Sequence, residues 1–175
     1  EEGRDAASRD APVPLDEGIT LRGAIDLVEV HAETGALRAT DHKTGSSYAI
    51  RGRGPLVVRG GQTLQPVLYA LALEKLFPGA KVEGGRLYYC TSRGGYEERT
   101  VTLDDEARAA ARALAAAVTE ATTKGALPAV PLPGACTYCD FRLACGADPE
   151  ARAAKIPRAE TEALLPGLVQ LRRRA

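Results

Sequence analysis

The sequence predicts a mixed α/β domain with antiparallel strands, two helices and a cysteine-bearing C-terminal segment. Four segments alternate apolar and polar side chains as strands do, and two others have the composition and length of helices. The chain has 175 residues, of which 45% are hydrophobic and 26% are charged. This composition is ordinary for a globular protein, and the length fits one domain.

The first predicted element is a β-hairpin. Residues 19–30 and 37–43 are predicted strands, and the turn sequence Ala32-Glu33-Thr34-Gly35 joins them. A loop rich in Gly, Ser and Arg follows over residues 45–61, and within it residues 56–58 fit a short strand.

The middle of the chain predicts two helices that enclose a second pair of strands. Pro66 is acceptable only near the start of the first helix, where backbone N–H groups lack helical partners. Asp104 and Asp105 begin the second helix, and Lys124 and Gly125 end it, in agreement with the helix dipole and with C-terminal capping. The predicted ranges are 62–76 for the first helix, 81–91 and 97–103 for the strands, and 104–124 for the second helix.

These elements divide the chain into four parts. The lead-in is loose and acidic and lacks an initiator Met, which suggests the truncated edge of a longer protein. Three prolines separate the core from the cysteine segment, and a basic tail closes the chain. The predicted parts are 1–18 (lead-in), 19–127 (core), 128–150 (cysteine segment) and 151–175 (tail).

Charge is balanced overall but uneven along the chain. The net charge is zero, which argues against a generally basic coat for nucleic acid. Between His42 and Leu73, however, there are four cations and no acid, so local contacts with phosphates are expected from Arg51, Arg53 and Arg59. The charges of the tail, which ends in three arginines, fit either solvated side chains or phosphate contacts. No segment predicts a membrane span or a signal peptide, so a cytoplasmic protein of bacterial type is expected.

Two aspartates and a lysine are predicted to share one face of the hairpin. Strand alternation places Asp41 and Lys43 on the same face. A turn centred on Glu33-Thr34 would put Asp26 opposite Asp41, and a turn centred one residue later would put Asp26 opposite Lys43. A one-residue slip would instead turn Asp26 to the other face.

This group of side chains suits metal-assisted chemistry on phosphate. Two neighbouring carboxylates repel each other and raise each other's pKa, and a divalent cation relieves that repulsion. Mg²⁺ prefers a few carboxylate oxygens together with waters and substrate phosphate. Lys43 adds a positive charge beside the reacting phosphate, so hydrolysis of a phosphodiester is indicated. The alternative is a surface salt bridge between Lys43 and one aspartate, with the other aspartate capping a turn.

The same residues resemble the signature of the PD-(D/E)XK nuclease superfamily, specifically its RecB-like branch. The matching elements are Gly23-x-x-Asp26, Asp41-x-Lys43-x-Gly45 and Gln65-x-x-x-Tyr69, and the resemblance spans roughly residues 19–146. Gln65 and Tyr69 are one helical turn apart and so share a face. The resemblance implies a restriction-endonuclease-like mixed sheet flanked by helices.

The resemblance also implies roles. Asp26, Asp41 and the backbone carbonyl of His42 would hold Mg²⁺ or Mn²⁺, and Lys43 would orient or activate the attacking water. Gln65 and Tyr69 would support the site or touch the DNA backbone. The implied function is that of a DNA exonuclease domain in repair or recombination, partnered by a helicase domain or subunit, with no small-molecule substrate. A Cas4-like nuclease of CRISPR adaptation and a non-catalytic DNA-binding module are the alternatives.

One element of the RecB-like pattern is missing. Such proteins carry a further acidic residue on a helix before the first motif, and residues 1–18 predict no such helix. Asp16 and Glu17 lie too close to the strand and follow two prolines. Full activity of the chain as given is therefore in question.

Three clustered cysteines predict a second site. Cys136-x-x-Cys139 and Cys145 have the spacing of a tight metal-binding loop. In nucleases similar to AddB and Cas4, such a trio binds a 4Fe–4S cluster whose fourth ligand lies upstream of the core. Cys90 is a weaker candidate for that ligand, because its strand pattern predicts a buried core position.

Zinc is the alternative metal at the trio, and an empty trio is a third interpretation. A site with three cysteines and a histidine would need His31 or His42, and both lie in the hairpin. A disulfide framework is not expected in a domain of this size with no sign of secretion.

Overall fold

The structure is a computed structural model that describes residues 11–16, 18–47, 57–129, 131, 134–156 and 158–174. It contains six strands and six α-helices within those residues. The strands are β1 Val13–Pro14, β2 Thr20–Leu21, β3 Leu27–Val30, β4 Leu37–Lys43, β5 Val82–Tyr89 and β6 Glu98–Thr102. The helices are α1 Gln65–Leu76, α2 Asp105–Thr123, α3 Arg142–Cys145, α4 Pro149–Ala154, α5 Arg158–Leu164 and α6 Pro166–Arg172.

The centre of the fold is a four-stranded mixed sheet in the order β3-β4-β5-β6. The β3–β4 and β5–β6 pairs are antiparallel, whereas β4 and β5 run parallel. A parallel pair needs a long crossover, and α1 supplies it here. The expected mixed α/β architecture, with a sheet and flanking helices, is confirmed.

Helix α1 lies close against the sheet because β5 has a glycine where the two meet. A Cβ atom on Gly85 would lie 2.0 Å from the carbonyl oxygen of Pro66, so no side chain fits there. Leu73 on the sheet side of α1 packs with Leu37 and Ala39 of β4. This close contact brings the first turns of α1 over the end of β4.

Helix α2 covers the other side of α1. Its buried stripe consists mainly of alanines, most of which belong to the same core cluster as Val67 and Leu71 of α1. Asp104 caps the helix as predicted, since its carboxylate accepts a hydrogen bond of 2.9 Å from the N–H of Ala107. Helix α6 packs beside α2, and its Leu171 belongs to the same core cluster.

The predicted strand 19–30 is wrong in its continuity. Residues 20–21 pair with Val13–Pro14, and only Leu27–Val30 joins the main sheet. Residues 22–26 belong to no strand, so the chain leaves one small sheet before it enters the other. Apolar residues alternate with polar ones both before and after residues 22–26, so the sequence pattern does not show that the strand is interrupted there.

Two smaller predictions also need correction. Helix α1 begins at Gln65 and not at residue 62, which places Pro66 in its first turn, where proline is tolerated. The predicted strand at 56–58 does not form in its described part. Val57 and Val58 are buried in a bend before a 3₁₀ turn at Arg59–Gly61, and residue 56 lies outside the described residues.

The segment described from the sequence as a basic tail contains helices. Leu165 and Leu171 are buried, because α6 turns an apolar side toward α2. Near the chain end, charged side chains such as that of Arg173 remain on the surface. In the part of the chain that the structure describes, no helix is both long and apolar enough to cross a membrane.

Candidate active site

The register of the β3–β4 hairpin brings Asp26 to the end of β4. Leu27 pairs with Thr40 and Val30 with Leu37, which is the register of a turn centred on Glu33-Thr34. Of the registers left open by the sequence, this one places Asp26 beside Asp41. The Asp26 carboxylate accepts a hydrogen bond of 2.8 Å from the backbone N–H of His42, which fixes its position.

Asp41 is a buried carboxylate paired with a lysine. It is 7% exposed, and the Nζ atom of Lys43 lies 2.6 Å from its Oδ2 atom. That oxygen is itself buried and accepts no well-aligned hydrogen bond from the described residues. The ion pair expected under the alternative interpretation therefore exists, but its aspartate is inside the protein, where a charge is costly unless it is compensated.

Tyr69 of α1 faces both aspartates. A Cβ atom on Gly23 would lie 3.8 Å from the Tyr69 hydroxyl, so the first and third motifs are in contact range. Burial raises the pKa of the Tyr69 phenol, and the charges of Asp41 and Asp26 raise it further. Gln65 is half-buried at the first position of α1, one turn before Tyr69.

The oxygen atoms of this site fit a hard divalent cation. Carboxylate and carbonyl oxygens are its preferred ligands, and the Oδ2 atom of Asp41 has no well-aligned hydrogen bond among the described residues, so a metal ion could take the place of the Lys43 ammonium beside it. Within the described ranges, no group of three or more His, Cys, Asp or Glu side chains is arranged to hold a metal ion. Mg²⁺ needs fewer, because it keeps several waters and is often held by one or two carboxylates.

The comparison with protein families decides the assignment. The sequence profile of the PD-(D/E)XK nuclease superfamily matches residues 1–146, which is most of the chain. This chain belongs to the PD-(D/E)XK nuclease superfamily. Its mixed sheet with flanking helices is consistent with the restriction-endonuclease-like fold of that family. Searches of curated proteins and of solved structures found no match.

Superfamily membership supports a nuclease-type function, with DNA as the expected substrate. Members generally use Mg²⁺ or Mn²⁺. The match includes the hairpin, α1 and the three cysteines, and it ends one residue after Cys145.

The basic residues of this nuclease-family chain are only partly described. Arg51 and Arg53 lie outside the described residues. Arg59 lies in the 3₁₀ turn before α1, and its buried Nε atom makes no hydrogen bond with any described residue. The charges of Lys43 and Arg59 oppose the burial that raises the pKa of the Tyr89 phenol, so both cations are near that ring.

Tyr89 is a site residue that the sequence analysis missed. It pairs with Lys43 across the parallel β4–β5 ladder and therefore faces the same side of the sheet. The two residues are far apart in sequence, and only the parallel pairing brings them together. The sequence carries no signal for that register.

The opposite face of the sheet carries a second charged group that was also missed. The Glu29 carboxylate accepts hydrogen bonds from Arg38 (3.0 Å), Arg86 (2.9 Å) and the Thr40 hydroxyl, while Arg86 also contacts Glu98 at 2.7 Å. Burial alone would raise the pKa of Glu29, but the hydrogen bonds of Arg38 and Thr40 and the charges of both arginines hold it below its usual value.

The three predicted cluster ligands lie on one short segment that is held at both ends by α4. The Glu150 carboxylate accepts hydrogen bonds of 2.9 Å from the backbone N–H groups of Gly134 and Cys136. The Arg152 guanidinium donates to the carbonyl oxygen of Cys145. The sequence analysis missed both α4 residues, since they lie outside the cysteine pattern.

The thiols of this segment interact electrostatically. Desolvation raises the pKa of Cys136, and the charges of Glu150, Cys139 and Cys145 raise it further. All four cysteines are free, and Cys90 lies elsewhere, half-buried with its sulfur 3.6 Å from the carbonyl oxygen of Lys43. The described thiols are not arranged as a finished metal site.

Proposed function

We propose that the chain is a Mg²⁺- or Mn²⁺-dependent DNA exonuclease domain of the RecB/AddB type, which acts in repair or recombination beside a helicase domain or subunit. One observation carries this proposal: Asp26, Asp41, Lys43 and Tyr69, from three separate motifs, come together at a buried carboxylate whose Oδ2 atom has the Lys43 ammonium beside it but no well-aligned hydrogen bond among the described residues. A purely structural ion pair between Asp41 and Lys43 would not need Asp26 and Tyr69 beside it.

The residues have distinct roles in this proposal. Asp26, Asp41 and the His42 carbonyl would hold the metal, which supplies charge stabilisation at the phosphate. Lys43 would hold the attacking water through its ammonium group. Attack of that water on phosphorus breaks the bond to the 3′ oxygen and leaves a 5′ phosphate. Tyr69 would donate a hydrogen bond from its hydroxyl to the DNA backbone or to Asp41, since its raised pKa keeps it protonated.

The direct test is cleavage of end-labelled linear DNA with Mg²⁺ by the unaltered chain and by Asp41→Asn. Asp105→Asn is the matched control, because Asp105 is an exposed aspartate in the first turn of α2. The control should cleave normally, and Asp41→Asn should not. Equal cleavage of closed circular DNA would contradict an exonuclease, and unimpaired cleavage by Asp41→Asn would contradict the site.

A non-catalytic DNA-binding module is the second candidate. The short distance between Lys43 and Asp41 favours it, since the Lys43 ammonium lies at the position beside Asp41 where a metal ion would otherwise bind. DNA binding without cleavage, in this chain and in a longer piece that includes upstream residues, would favour this second candidate.

For the cysteine segment we propose a 4Fe–4S cluster on Cys136, Cys139 and Cys145, with a fourth ligand upstream of the chain. The proposal is supported by the close spacing of the three cysteines in the sequence and by the Glu150 and Arg152 contacts that hold the loop. Iron and sulfide analysis after anaerobic purification separates this cluster from zinc. A Cas4-like nuclease would share the cluster, so the trio alone does not separate the two enzymes.

Glu150 provides a test of the loop that does not depend on DNA cleavage. In Glu150→Gln the carboxamide offers one acceptor in place of two, so one backbone N–H loses its partner. We expect lower iron content per chain and faster reaction of the thiols with a thiol reagent. Glu160→Gln, a change on α5, is the control. Unchanged iron content and thiol reactivity in Glu150→Gln would contradict the proposed role of the loop contacts.

A further inference from the structure

The 3₁₀ turn Arg59–Gly61 is closed by the end of the chain. The N–H of Gly60 donates a hydrogen bond of 2.8 Å to the carbonyl oxygen of Arg174. A Cβ atom on Gly60 would lie 2.9 Å from the carbonyl oxygen of Arg172, and one on Gly61 would lie 3.3 Å from the Leu171 side chain. Leu171 is 3% exposed, so the turn rests on a fixed part of α6.

The backbone of Arg59 is held in an unfavourable conformation. Its φ angle is 47°, in the left-handed region that a residue with a side chain rarely adopts. Such a conformation persists where the surrounding structure imposes it, and it is common at functional sites. Here the surrounding structure is the contact between the glycine pair and α6.

Arg59 lies in the turn just before α1, whose first residue is the candidate site residue Gln65. Its Nε atom is buried and has no hydrogen-bond acceptor among the described residues, which is unusual for a buried donor. Its charge acts on Tyr89, the residue that pairs with Lys43 across the sheet. Arg59 and Lys43 are thus both close to the same phenol ring.

We propose that α6 is a positioning element of the active site, which holds the Arg59 turn so that the guanidinium binds a DNA phosphate beside the Asp41–Lys43 pair. The proposal rests on DNA as the ligand and adds a role for the C-terminal helix. Arg59 would be the binding residue, and Gly60, Gly61 and Leu171 would act through it. Arg59 as a whole is only half-buried, and a guanidinium can form paired hydrogen bonds with phosphate oxygens through its two Nη groups.

The test compares Gly60→Ala with Gly35→Ala. The two glycines have similar φ angles of 61° and 68°, so alanine meets a similar backbone penalty at each, but nothing lies within 4 Å of a Cβ atom at Gly35. Affinity for a short DNA duplex is measured without divalent metal at several salt concentrations. Loss of one phosphate contact should weaken binding about tenfold and reduce the salt slope by roughly 0.9.

We expect this loss for Arg59→Gln and for Gly60→Ala, and unchanged binding for Gly35→Ala. The double variant Arg59→Gln/Gly60→Ala should bind no more weakly than Arg59→Gln alone, because both changes remove the same contact. Additive losses would overturn the positioning role, and an unchanged salt slope in Arg59→Gln would overturn the phosphate contact.

A second variant keeps the test decisive if Gly60→Ala does not fold. Leu171→Ala leaves the turn backbone unaltered and loosens its support, so it should reduce DNA affinity only when Arg59 is present. Equal losses with and without Arg59 would overturn the proposal. If the chain does not cleave DNA but Arg59 and Gly60 still depend on each other for DNA binding, the exonuclease alone is rejected. If cleavage requires Asp41 but Arg59→Gln binds DNA as tightly as the unaltered chain, this inference alone is rejected.

Discussion

The charged side chains on the two faces of the β3–β6 sheet differ in how completely the protein pairs them. On the face away from α1, Glu29 is neutralised by two arginines and a hydroxyl, and Arg86 is shared between Glu29 and Glu98. On the face toward α1, a buried oxygen of Asp41 has one ammonium beside it and no aligned donor among the described residues. The first arrangement is complete without a ligand, and the second leaves an acceptor available for one.

This difference separates charges that stabilise the fold from charges that serve chemistry. Both groups use strand alternation, and Asp41 and Thr40 are sequence neighbours on opposite faces. What differs is whether the protein supplies every hydrogen-bond partner. The comparison predicts that changes on the α1 side affect activity and metal response, whereas changes on the other side affect stability.

The largest effect is expected for Lys43→Gln. Removing the ammonium takes away the charge next to the reacting phosphate, so cleavage should fall by about 10²–10³. It also leaves the buried Asp41 carboxylate uncompensated, which destabilises the fold. Added Mg²⁺ should then raise the melting temperature of Lys43→Gln more than that of the unaltered chain, since the ion replaces the lost charge.

Thermal melting with and without Mg²⁺ provides a measurement that is independent of cleavage. Lys75→Gln is the matched control, because Lys75 pairs with the exposed Asp16 away from the motifs. An equal Mg²⁺ response in Lys43→Gln and Lys75→Gln would contradict the claim that the ion replaces the Lys43 charge, and no Mg²⁺ response in any of the three proteins would contradict a metal site at Asp41.

Glu29→Gln should show the opposite pattern. The change leaves Arg38 and Arg86 without their shared carboxylate, so we expect the free energy of unfolding to fall by about 2 kcal/mol. Cleavage by the folded protein should remain within about twofold of the unaltered chain, since the network lies on the far face. Urea unfolding measures the first quantity. A large loss of activity in folded Glu29→Gln would break the distinction between the two faces.

A smaller effect is expected for Tyr69→Phe. The hydroxyl is close to both aspartates, and its loss should reduce cleavage by about tenfold through one hydrogen bond. Because the pKa of Tyr69 is raised, the phenol stays protonated across the neutral and mildly alkaline range. The alkaline limb of a pH–rate profile should therefore be the same for Tyr69→Phe and for the unaltered chain. Loss of that limb in the variant would assign the titration to Tyr69.

Local features of this structure could be predicted from the sequence. The caps of α2, the existence of α1 and the strand β4 depend on neighbouring residues, and each was located to within a few residues. The sequence left open two hairpin registers that both place Asp26 on the same face as Asp41 and Lys43, because a turn sequence limits the register without fixing it. The strand 19–30 was wrong because alternation does not show which partner a strand has.

Several of the features that were missed depend on residues distant in sequence. Tyr89 meets Lys43 through a parallel pairing that no local pattern encodes. Arg86 donates a hydrogen bond to Glu29, which is 57 positions earlier in the sequence. Gly60 donates one to the carbonyl oxygen of Arg174, which is even farther away in the sequence. Sequence motifs locate groups that do chemistry, whereas the surrounding support depends on how the elements pack.

The acid range provides the finest test of the comparison. The pKa of Glu29 is lowered in the folded protein from its usual value of 4.5, despite partial burial. A lowered pKa means that the carboxylate stabilises the fold above pH 4.5 and that this contribution is lost as the pH falls through the folded-state value. The urea midpoint of the unaltered chain should therefore decrease as the pH falls below 4.5. Glu29→Gln should show a shallower decrease, because its side chain does not titrate. Parallel curves for the two proteins would show that the network on the far face does not couple protonation to folding, and the contrast between the faces would then concern activity alone.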